Sequence, residues 1–559
     1  MKHEFVNKYR PYRGTIKLEN RTWPDQAIEK HPHWCSVDLR DGNQALILPM
    51  DIQEKVNMFA LLVEIGFKEI ETGFPSASAL EYNFLRRIID EGLIPEDVTV
   101  QVLTQARKHL IEKTFDSLKG TKKAVLHLYN STSVLQRKVV FKKNRDEIKK
   151  LAVEGTKMIK ELAANTDTEI TLEYSPESFT GTETEYALEV CEAVLEAWNP
   201  KEGEKVIFNL PATVEMYTPN VYADTIEWFS RNLSQRDKVI ISLHAHNDRG
   251  TAVAATELAL MAGADRVEGT LFGNGERTGN VDIITLALNM YSQGVDPGLD
   301  FHDINRIVNI SEDVTKIPVH ARHPYAGELV YTAFSGSHQD AINKGMSALR
   351  EEKNPYWEVP YLPIDPEDLG RTYESVIRIN SQSGKGGVAY ILESRYGFLL
   401  PKKMHQEMGP LVQRYADSKN EEILPEKIME IFRSEYLDSK DPFEYISFRH
   451  SPTDVSDRPV ESTVCFLHKG KEQSLNGIGN GPIDACKNSL IESGVISFSI
   501  LNYYEHSLQA GSDAQAVAYI QILCNEKQFF GVGIDSNIEI ASIKAMFSSL
   551  NQASKNSVS

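Results

Sequence analysis

The sequence predicts an α/β protein with a (β/α)8 TIM barrel, a following linker region, and a C-terminal α+β domain with duplicated ββα units. Three observations support this prediction. Segments rich in β-forming residues alternate with amphipathic segments from residue 33 to about 295. Gly, Ser, Pro and Asn then accumulate between 320 and 400, and a pattern of strand, turn, strand, Gly-x-Gly and helix occurs twice near the C-terminus.

The barrel is predicted from eight strand candidates, at 33–38, 68–74, 98–104, 123–130, 168–175, 205–211, 238–246 and 266–272. The segments between them carry apolar residues at helical spacing, as Val56, Phe59 and Leu62 do within 51–66. Eight strand and helix units in about 260 residues correspond to the length and order of a closed barrel. An open doubly wound sheet is the alternative that a strand count leaves open. In either fold, catalytic and ligand-binding residues lie at the carboxyl ends of the strands.

The domain borders follow from the same changes in pattern. We expect a barrel with the catalytic site over 1–325, linker subdomains over 326–435, and a C-terminal domain over 436–559. The repeat within the last domain pairs 463–493 with 517–549, so that the first Gly-x-Gly recurs 54 residues later. A duplicated unit of this kind indicates either a dimerisation module or a pocket for a regulatory metabolite at a pseudo-symmetric interface.

Composition limits the partners and the compartment. The chain has 60 basic and 79 acidic residues, a formal net charge of −19, which argues against broad binding to nucleic acid or to anionic membranes. The five cysteines are odd in number and lack C-x-x-C spacing, which favours a reducing compartment and a cytoplasmic location. No stretch approaches the roughly 20 uninterrupted apolar residues of a membrane span.

Two motifs at predicted strand ends indicate a metal site. His244 and His246, in SLHAHND, lie two residues apart on the seventh strand, so their side chains share one face. Asp41, in DLRDGNQ, follows the first strand, which only the eighth strand separates from the seventh in a closed barrel. Two imidazoles with oxygen donors suit Mn²⁺, Zn²⁺, Co²⁺ or Mg²⁺ and leave positions open for a substrate.

A third motif, GNGERTGN, follows the eighth strand at 273–280. Its glycines are one residue out of register with the G-x-G-x-x-G fingerprint of dinucleotide-binding folds, so we reject that interpretation. The loop is instead expected to deliver Glu276, Arg277 and Asn280 to the same mouth of the barrel.

These three motifs, in this order and at these strand ends, resemble the family of metal-dependent Claisen-condensing barrels that includes the 2-isopropylmalate, homocitrate and citramalate synthases. The resemblance covers nearly the whole chain and is greatest to the long-form members of the 2-isopropylmalate branch. Further matching segments are EYSPESFTGTE (173–183), LHLYNSTS (126–133), FSGSHQDAINKG (334–345), VPYLPIDP (359–366) and NSQSGKGG (380–387).

The resemblance implies a role for each matching residue. Asp41, His244 and His246 would hold a divalent metal ion, with Asn280 as a further ligand, and Mg²⁺ is the ion expected first. A monovalent K⁺ is a possible additional cofactor. Arg40 would stabilise developing negative charge. The remaining implied residues are Gln44, which orients Arg40 and Asp41; His127, Glu177 and Thr213, which bind the keto acid; and Glu276, His338 and Tyr361, which activate acetyl-CoA.

The resemblance also implies a reaction and its control. Acetyl-CoA, 3-methyl-2-oxobutanoate and water would give (2S)-2-isopropylmalate and CoA, the first committed step toward leucine. Leucine would inhibit a homodimer through the C-terminal domain, with Gly479, Gly531, Gly533 and Asp535 as candidate binding residues. One alternative is a homocitrate or citramalate synthase, which uses 2-oxoglutarate or pyruvate. A second is a leucine-sensing protein built on an inactive barrel. The sequence leaves open whether His338 serves its own chain or a partner chain.

Overall fold

The computed structural model describes residues 3–9, 16–333, 336–352, 355–371, 385–419, 425–453, 460–508 and 514–555. The first five residues of the NSQSGKGG motif lie outside the described residues. The chain divides into two compact units, each described here by itself. They comprise Met1–Val330 with Pro366–Arg371, and Tyr331–Asp365 with Thr372–Ser559.

The first unit contains a closed barrel of eight parallel strands in the order β1 to β8. Its strands are β1 His33–Ser36, β2 Glu69–Gly73, β3 Thr99–Gln105, β4 Lys123–Ser131, β5 Glu169–Glu177, β6 Val206–Ala212, β7 Val239–Ala245 and β8 Arg266–Gly269. Closure is made by β1, which pairs with β8 through Cys35 opposite Glu268. The predicted barrel is therefore confirmed, and the open-sheet alternative is wrong.

The first helix of this unit begins and ends at recognisable local signals. Asp51 caps the first helix in a capping box with Glu54, and Gly66 ends it with a φ of 111°. None of the helices within the described ranges is long and apolar enough to cross a membrane. The helices of the first unit are α1 Ile52–Ile65, α2 Ala79–Asp90, α3 Lys108–Ser117, α4 Val134–Gln136, α5 Arg145–Ala163, α6 Thr184–Trp198, α7 Pro219–Asn232, α8 Ala252–Met261, α9 Ile283–Tyr291 and α10 Ile304–Thr315.

The second unit combines helices with two antiparallel sheets of three strands, in the orders β11-β10-β9 and β12-β13-β14. Its helices are α11 Gly336–Glu352, α12 Lys385–Tyr396, α13 His405–Lys419, α14 Pro425–Phe432, α15 Pro482–Glu492 and α16 Ile538–Lys555. Its strands are β9 Phe443–Pro452, β10 Val460–His468, β11 Lys471–Gly479, β12 Ser499–Ser507, β13 Ala516–Cys524 and β14 Lys527–Asp535.

The duplication is confirmed, but each repeat is a βββα unit and not the expected ββα unit. The additional first strands, β9 and β12, are largely exposed edge strands. They precede the segments with the repeated Gly-x-Gly and helix pattern, from which the duplication was predicted.

The repeated glycines allow each helix to pack closely on its sheet. A Cβ atom on Gly531 would lie 2.1 Å from Ser549 N and 2.2 Å from Ala545 O of α16. Gly533 and the equivalent Gly479 likewise face helix backbone, at 2.1 Å and 2.4 Å. This close approach accounts for the glycines without a ligand, because the helix backbone occupies the space that a side chain would need.

Gly531→Ala is expected to lower the free energy of unfolding of the second unit by about 3 kcal/mol, because the added methyl group forces α16 away from β14. Thermal or urea unfolding followed by circular dichroism measures the change. Gly481→Ala is the matched control, since a Cβ there meets nothing within 4 Å. Equal effects of the two substitutions would contradict the packing explanation.

Glu407 on α13 makes the stability of the second unit depend on pH. Burial raises its pKa from 4.5 to about 7, although a hydrogen bond from Tyr436 opposes the change. The folded chain therefore retains a proton that the unfolded chain loses above about pH 4.5. The stability that this proton confers is present below pH 4.5 and is lost as the pH rises through about 7.

Glu407→Gln is expected to be more stable than the wild type at pH 8 by about 1 kcal/mol, a figure reduced for partial exposure, and equally stable at pH 4. Urea unfolding at the two pH values measures this difference. Glu472→Gln, at an exposed position on β11, serves as the control. A difference that is the same at both pH values would argue against a titration of Glu407.

Candidate active site

Residues 38–42, directly after β1, form one turn of π-helix at the carboxyl end of the barrel. Asp38 anchors this turn to the loop after β8, because its carboxylate accepts a hydrogen bond from Leu271 N at 3.0 Å. Burial raises the pKa of Asp38 to about 7. The anchored turn contributes Arg40 and Asp41 to the cavity at this end of the barrel.

The carboxylate of Asp41 lies near two histidines, His244 on β7 and His246 directly after β7. Its Oδ2 atom lies 2.9 Å from His244 Nε2 and 3.7 Å from His246 Nε2. The three ligand atoms all lie within 4.8 Å of one another, and all three residues are buried. Asn280 Nδ2 lies 2.9 Å from the same carboxylate oxygen. The structure thus brings together all four residues of the predicted metal set.

The glycines of the 273–280 loop explain how Asn280 reaches this cluster. A Cβ on Gly275 would lie 1.9 Å from the Asn280 side-chain oxygen, and a Cβ on Gly279 would lie 1.9 Å from Gly273 O. Gly279 also has a φ of 93°, a conformation that other residues rarely adopt. The loop can therefore fold back on itself only with glycine at these positions.

The residues of the cluster fit a divalent metal ion. His246 Nδ1 and Asn280 Oδ1 are buried and have no hydrogen-bond partner among the described residues. His244 Nδ1 lies 2.8 Å from Glu268 Oε2, which leaves its Nε2 atom directed at Asp41. A carboxylate that orients a histidine through its second ring nitrogen is the usual arrangement behind a metal-binding imidazole.

The electrostatics of the cluster favour a cation. Burial opposes protonation of His244, but hydrogen bonds to Asp41 and Glu268 outweigh it and raise the pKa to about 9. Burial and the neighbouring His244 lower the pKa of His246 to about 4. Burial also disfavours the charged Asp41, yet Arg40 and His244 hold its pKa well below the usual range. At neutral pH, Asp41 is therefore charged, His246 is a neutral imidazole, and His244 carries a proton that a bound metal ion would replace.

Arg40 is held beside the cluster by two carboxylates. Its Nε atom donates to Glu71 Oε2 at 2.5 Å, and its Nη1 atom is paired with Asp41. Gln44 Nε2 donates to Asp41 Oδ1 at 3.1 Å. These contacts immobilise the guanidinium next to the metal cluster.

The cavity has a volume of about 280 Å³ and contains every predicted substrate residue of the barrel. These residues are Arg40, Gln44, His127, Glu177, Thr213 and Glu276.

Arg277 also lines the cavity, as expected for the loop after the eighth strand. Five further lining residues had no predicted role in the site: Leu103, Tyr129, Ser175, Asn209 and Pro211. Several of them could have been found from the alternation of side chains along a strand. Tyr129 lies two residues from His127, Ser175 two from Glu177, and Pro211 two from Thr213.

Two of the three residues expected to bind the keto acid, His127 and Thr213, already make internal hydrogen-bond contacts. His127 Nε2 lies 2.7 Å from Ser175 Oγ. Thr213 Oγ1 accepts a hydrogen bond from Ser178 N at 2.9 Å, and burial raises the pKa of Glu177. The side chains of His127 and Thr213 are thus oriented before a substrate arrives, and the role of all three residues in binding stays a prediction.

The remaining predicted residues lie in the second unit. His338 and Tyr361 are exposed, and their rings stack with centroids 4.1 Å apart. Asp535 accepts from Lys544 Nζ at 2.7 Å and from Asn537 N at 3.0 Å. The part of His338 and Tyr361 in the reaction, and of Asp535 with the repeated glycines in regulation, stays a prediction.

Three protein families match consecutive parts of the chain. The HMGL-like family matches residues 31–310. The family described as alpha-isopropylmalate synthase, post-catalytic domain-like, matches 328–393, and the LeuA allosteric (dimerisation) domain matches 422–554. The HMGL-like family depends on a divalent metal, in agreement with the buried cluster of one aspartate and two histidines.

Relatives that match over nearly the full length share one name, 2-isopropylmalate synthase. The protein from Clostridium acetobutylicum is 57% identical over 98% of this chain and 99% of its own. Those from Rhodospirillum rubrum and Mesorhizobium japonicum are each 54% identical over 98% of both chains. This chain therefore belongs to the 2-isopropylmalate synthase family of acyl-transferring enzymes.

Proposed function

We propose that this enzyme condenses acetyl-CoA with 3-methyl-2-oxobutanoate and water to give (2S)-2-isopropylmalate and CoA, the first committed step of leucine biosynthesis. The main supporting observation is that Asp41, His244 and His246 lie close together in a cavity that Arg40 and Glu276 also line. The full-length similarity to 2-isopropylmalate synthases supports this choice of keto acid.

Asp41, His244 and His246 would hold the divalent ion, with Asn280 beside them. When bound, the ion acts as a Lewis acid toward the ketone of the substrate. Arg40 donates charge-assisted hydrogen bonds to the oxygen on which negative charge develops. Since Arg40 is already fixed by carboxylates, little reorganisation accompanies this step.

Glu276 is the proposed base for the methyl group of acetyl-CoA. It removes a proton, and the resulting carbon nucleophile forms a bond to the keto carbon. The π electrons of the ketone move to its oxygen, which then takes up a proton to become the hydroxyl group of the product. Water then cleaves the thioester and releases the CoA thiol, which makes the overall reaction effectively one-way. His338 and Tyr361 assist in activating acetyl-CoA, from the same chain or from a partner.

The walls of the cavity suit a branched keto acid. His127, Glu177 and Thr213 offer polar contacts for its carboxylate and carbonyl oxygen. Leu103 and Pro211 add apolar surface for the isopropyl group. Pyruvate would leave this surface uncovered, and 2-oxoglutarate would bring a second carboxylate against it.

Several finer assignments complete the proposal. We propose Mg²⁺ as the physiological ion, with Mn²⁺, Zn²⁺ or Co²⁺ able to replace it and K⁺ as an additional cofactor. The LeuA allosteric (dimerisation) domain supports a homodimer and leucine as the inhibitor. The five cysteines are free thiols, which supports a cytoplasmic location.

Release of thiol from acetyl-CoA tests the reaction. The purified enzyme is supplied in turn with 3-methyl-2-oxobutanoate, 2-oxoglutarate and pyruvate, before and after removal of divalent metal by a chelator. We expect the highest kcat/KM with 3-methyl-2-oxobutanoate, loss of activity after chelation and recovery with Mg²⁺. A preference for another keto acid would favour a sister synthase, and leucine binding without thiol release would favour a sensor.

A further inference from the structure

The buried side-chain amide of Gln101 lies next to the carboxylates behind the metal cluster, at a position for which no role in the site was predicted. We propose that Gln101 is a positioning residue, which fixes the metal ligand His244 and the charge-stabilising Arg40 through the carboxylates behind them. This inference rests on the proposed function, because it concerns the orientation of the same site.

Gln101 lies on β3 inside the barrel and is completely buried. Its Nε2 atom donates hydrogen bonds to Glu268 Oε1 at 2.8 Å and to Glu71 Oε1 at 3.2 Å. Its Oε1 atom accepts from Arg266 Nη2 at 2.7 Å. The amide therefore uses its donors on two carboxylates and its acceptor on a guanidinium.

These two carboxylates are the groups that orient the residues of the site. Glu268 Oε2 lies 2.8 Å from His244 Nδ1, and Glu71 Oε2 accepts from Arg40 Nε at 2.5 Å. Gln101 joins the two supports by hydrogen bonds to the other oxygen of each carboxylate. A change in the position of either carboxylate would turn the imidazole of His244 or the guanidinium of Arg40.

A second connection between the same carboxylates passes through residues of the cavity wall. Asn209 Nδ2 donates to Glu268 Oε2 at 3.0 Å and to Ser175 Oγ at 3.1 Å. Ser175 Oγ lies 2.7 Å from His127 Nε2, and His127 Nδ1 lies 3.1 Å from Glu71 Oε1. Substitutions along this path would alter substrate contacts directly. Gln101 does not line the cavity, so its substitution removes no group that faces the substrate, although its Nε2 atom also lies 3.4 Å from His127 Nδ1.

The amide is the chemical group that this position requires. The neighbouring His127, Glu173 and Glu268 also have ligand atoms at metal-binding distances. Arg266, however, already supplies a positive charge, with nitrogens 3.0 Å from Glu268 and 3.5 Å from Glu173. Burial and the charge of Glu268 raise the pKa of Glu173 well above its usual range. A neutral group that donates to two carboxylates adds no further charge to this interior.

The test measures Mn²⁺ binding to metal-stripped protein by isothermal titration calorimetry, counting only the site that His246→Ala removes. Gln101→Met keeps the length of the side chain without its hydrogen bonds, and Gln101→Asn withdraws the amide by one methylene group. We expect each to weaken Mn²⁺ binding about 10- to 100-fold, as substitutions behind metal ligands commonly do. The kcat is expected to fall as well, with the KM for acetyl-CoA unchanged.

Thr104→Val is the matched control, because Thr104 is buried on the same strand and does not line the cavity. It should leave Mn²⁺ binding unchanged. A double-mutant cycle of Gln101→Asn with Glu268→Gln should be strongly non-additive, since Gln101 acts on His244 through Glu268.

The outcomes separate this inference from the proposed function. Wild-type protein without His246-dependent Mn²⁺ binding would overturn the metal site and this inference with it. Wild-type affinity in folded Gln101 variants, or additive effects in the cycle, would overturn only the positioning role. If Gln101→Met does not fold, the result for Gln101→Asn decides.

Discussion

His246→Ala is expected to lower kcat about 10³-fold or more, since loss of several kcal/mol of charge stabilisation by a metal ion corresponds to that factor. The barrel should remain folded. His246 lies at the carboxyl end of β7, its Nδ1 atom has no partner among the described residues, and its Nε2 atom faces Asp41. Its removal therefore takes away a ligand without breaking an internal hydrogen bond.

Thiol release, Mn²⁺ binding and the circular dichroism spectrum are measured on the same preparation. His33→Ala is the control, because this histidine is exposed at the opposite end of the barrel, at the start of β1. Near-normal turnover in His246→Ala would remove the metal cluster from the mechanism. An unfolded variant would instead indicate a structural role for this imidazole.

Glu276→Gln is expected to reduce kcat by about 10²- to 10⁴-fold, the usual contribution of a general base. Glutamine preserves the shape of the side chain but cannot take the proton from the acetyl methyl group. Mn²⁺ binding should be unchanged, because Glu276 lies outside the ligand cluster on the loop after β8. This combination, slow turnover with intact metal binding, distinguishes loss of the base from loss of the ion.

Thiol release from acetyl-CoA and from its trideuterated form completes the test. If proton removal limits the residual reaction, the variant should have a larger isotope effect than the wild type. Glu202→Gln, at an exposed position before β6, is the control. Wild-type kcat in Glu276→Gln would transfer the role of base to another residue, with His338 as the next candidate.

The barrel could be predicted from the sequence because its pattern is local. Each strand is a short run of β-forming residues, and each helix repeats its apolar residues at a fixed period. The three motifs could be expected to meet because closure of a barrel makes the first, seventh and eighth strands neighbours. Asp41, His244, His246 and Asn280 were therefore recognisable as one site without coordinates.

The supports beneath that site could not be predicted in the same way. Gln101, Glu268 and Arg266 interrupt apolar strands and resemble scattered polar residues in the sequence. Only the closed barrel shows that they share hydrogen bonds across its interior. The π-helical turn at 38–42 was likewise missed, because its conformation depends on the contact between Asp38 and the distant Leu271.

The sequence by itself determined the order of strands and helices, the types of candidate catalytic side chain and the strand ends on which they lie, since these follow from local periodicity and short motifs. The tertiary structure alone decided which carboxylate orients which ligand, which residues line the cavity, and that the repeated glycines admit a helix. The physical reason is that hydrogen bonds and steric contacts depend on distances between residues far apart in the chain, and a one-dimensional pattern does not contain those distances.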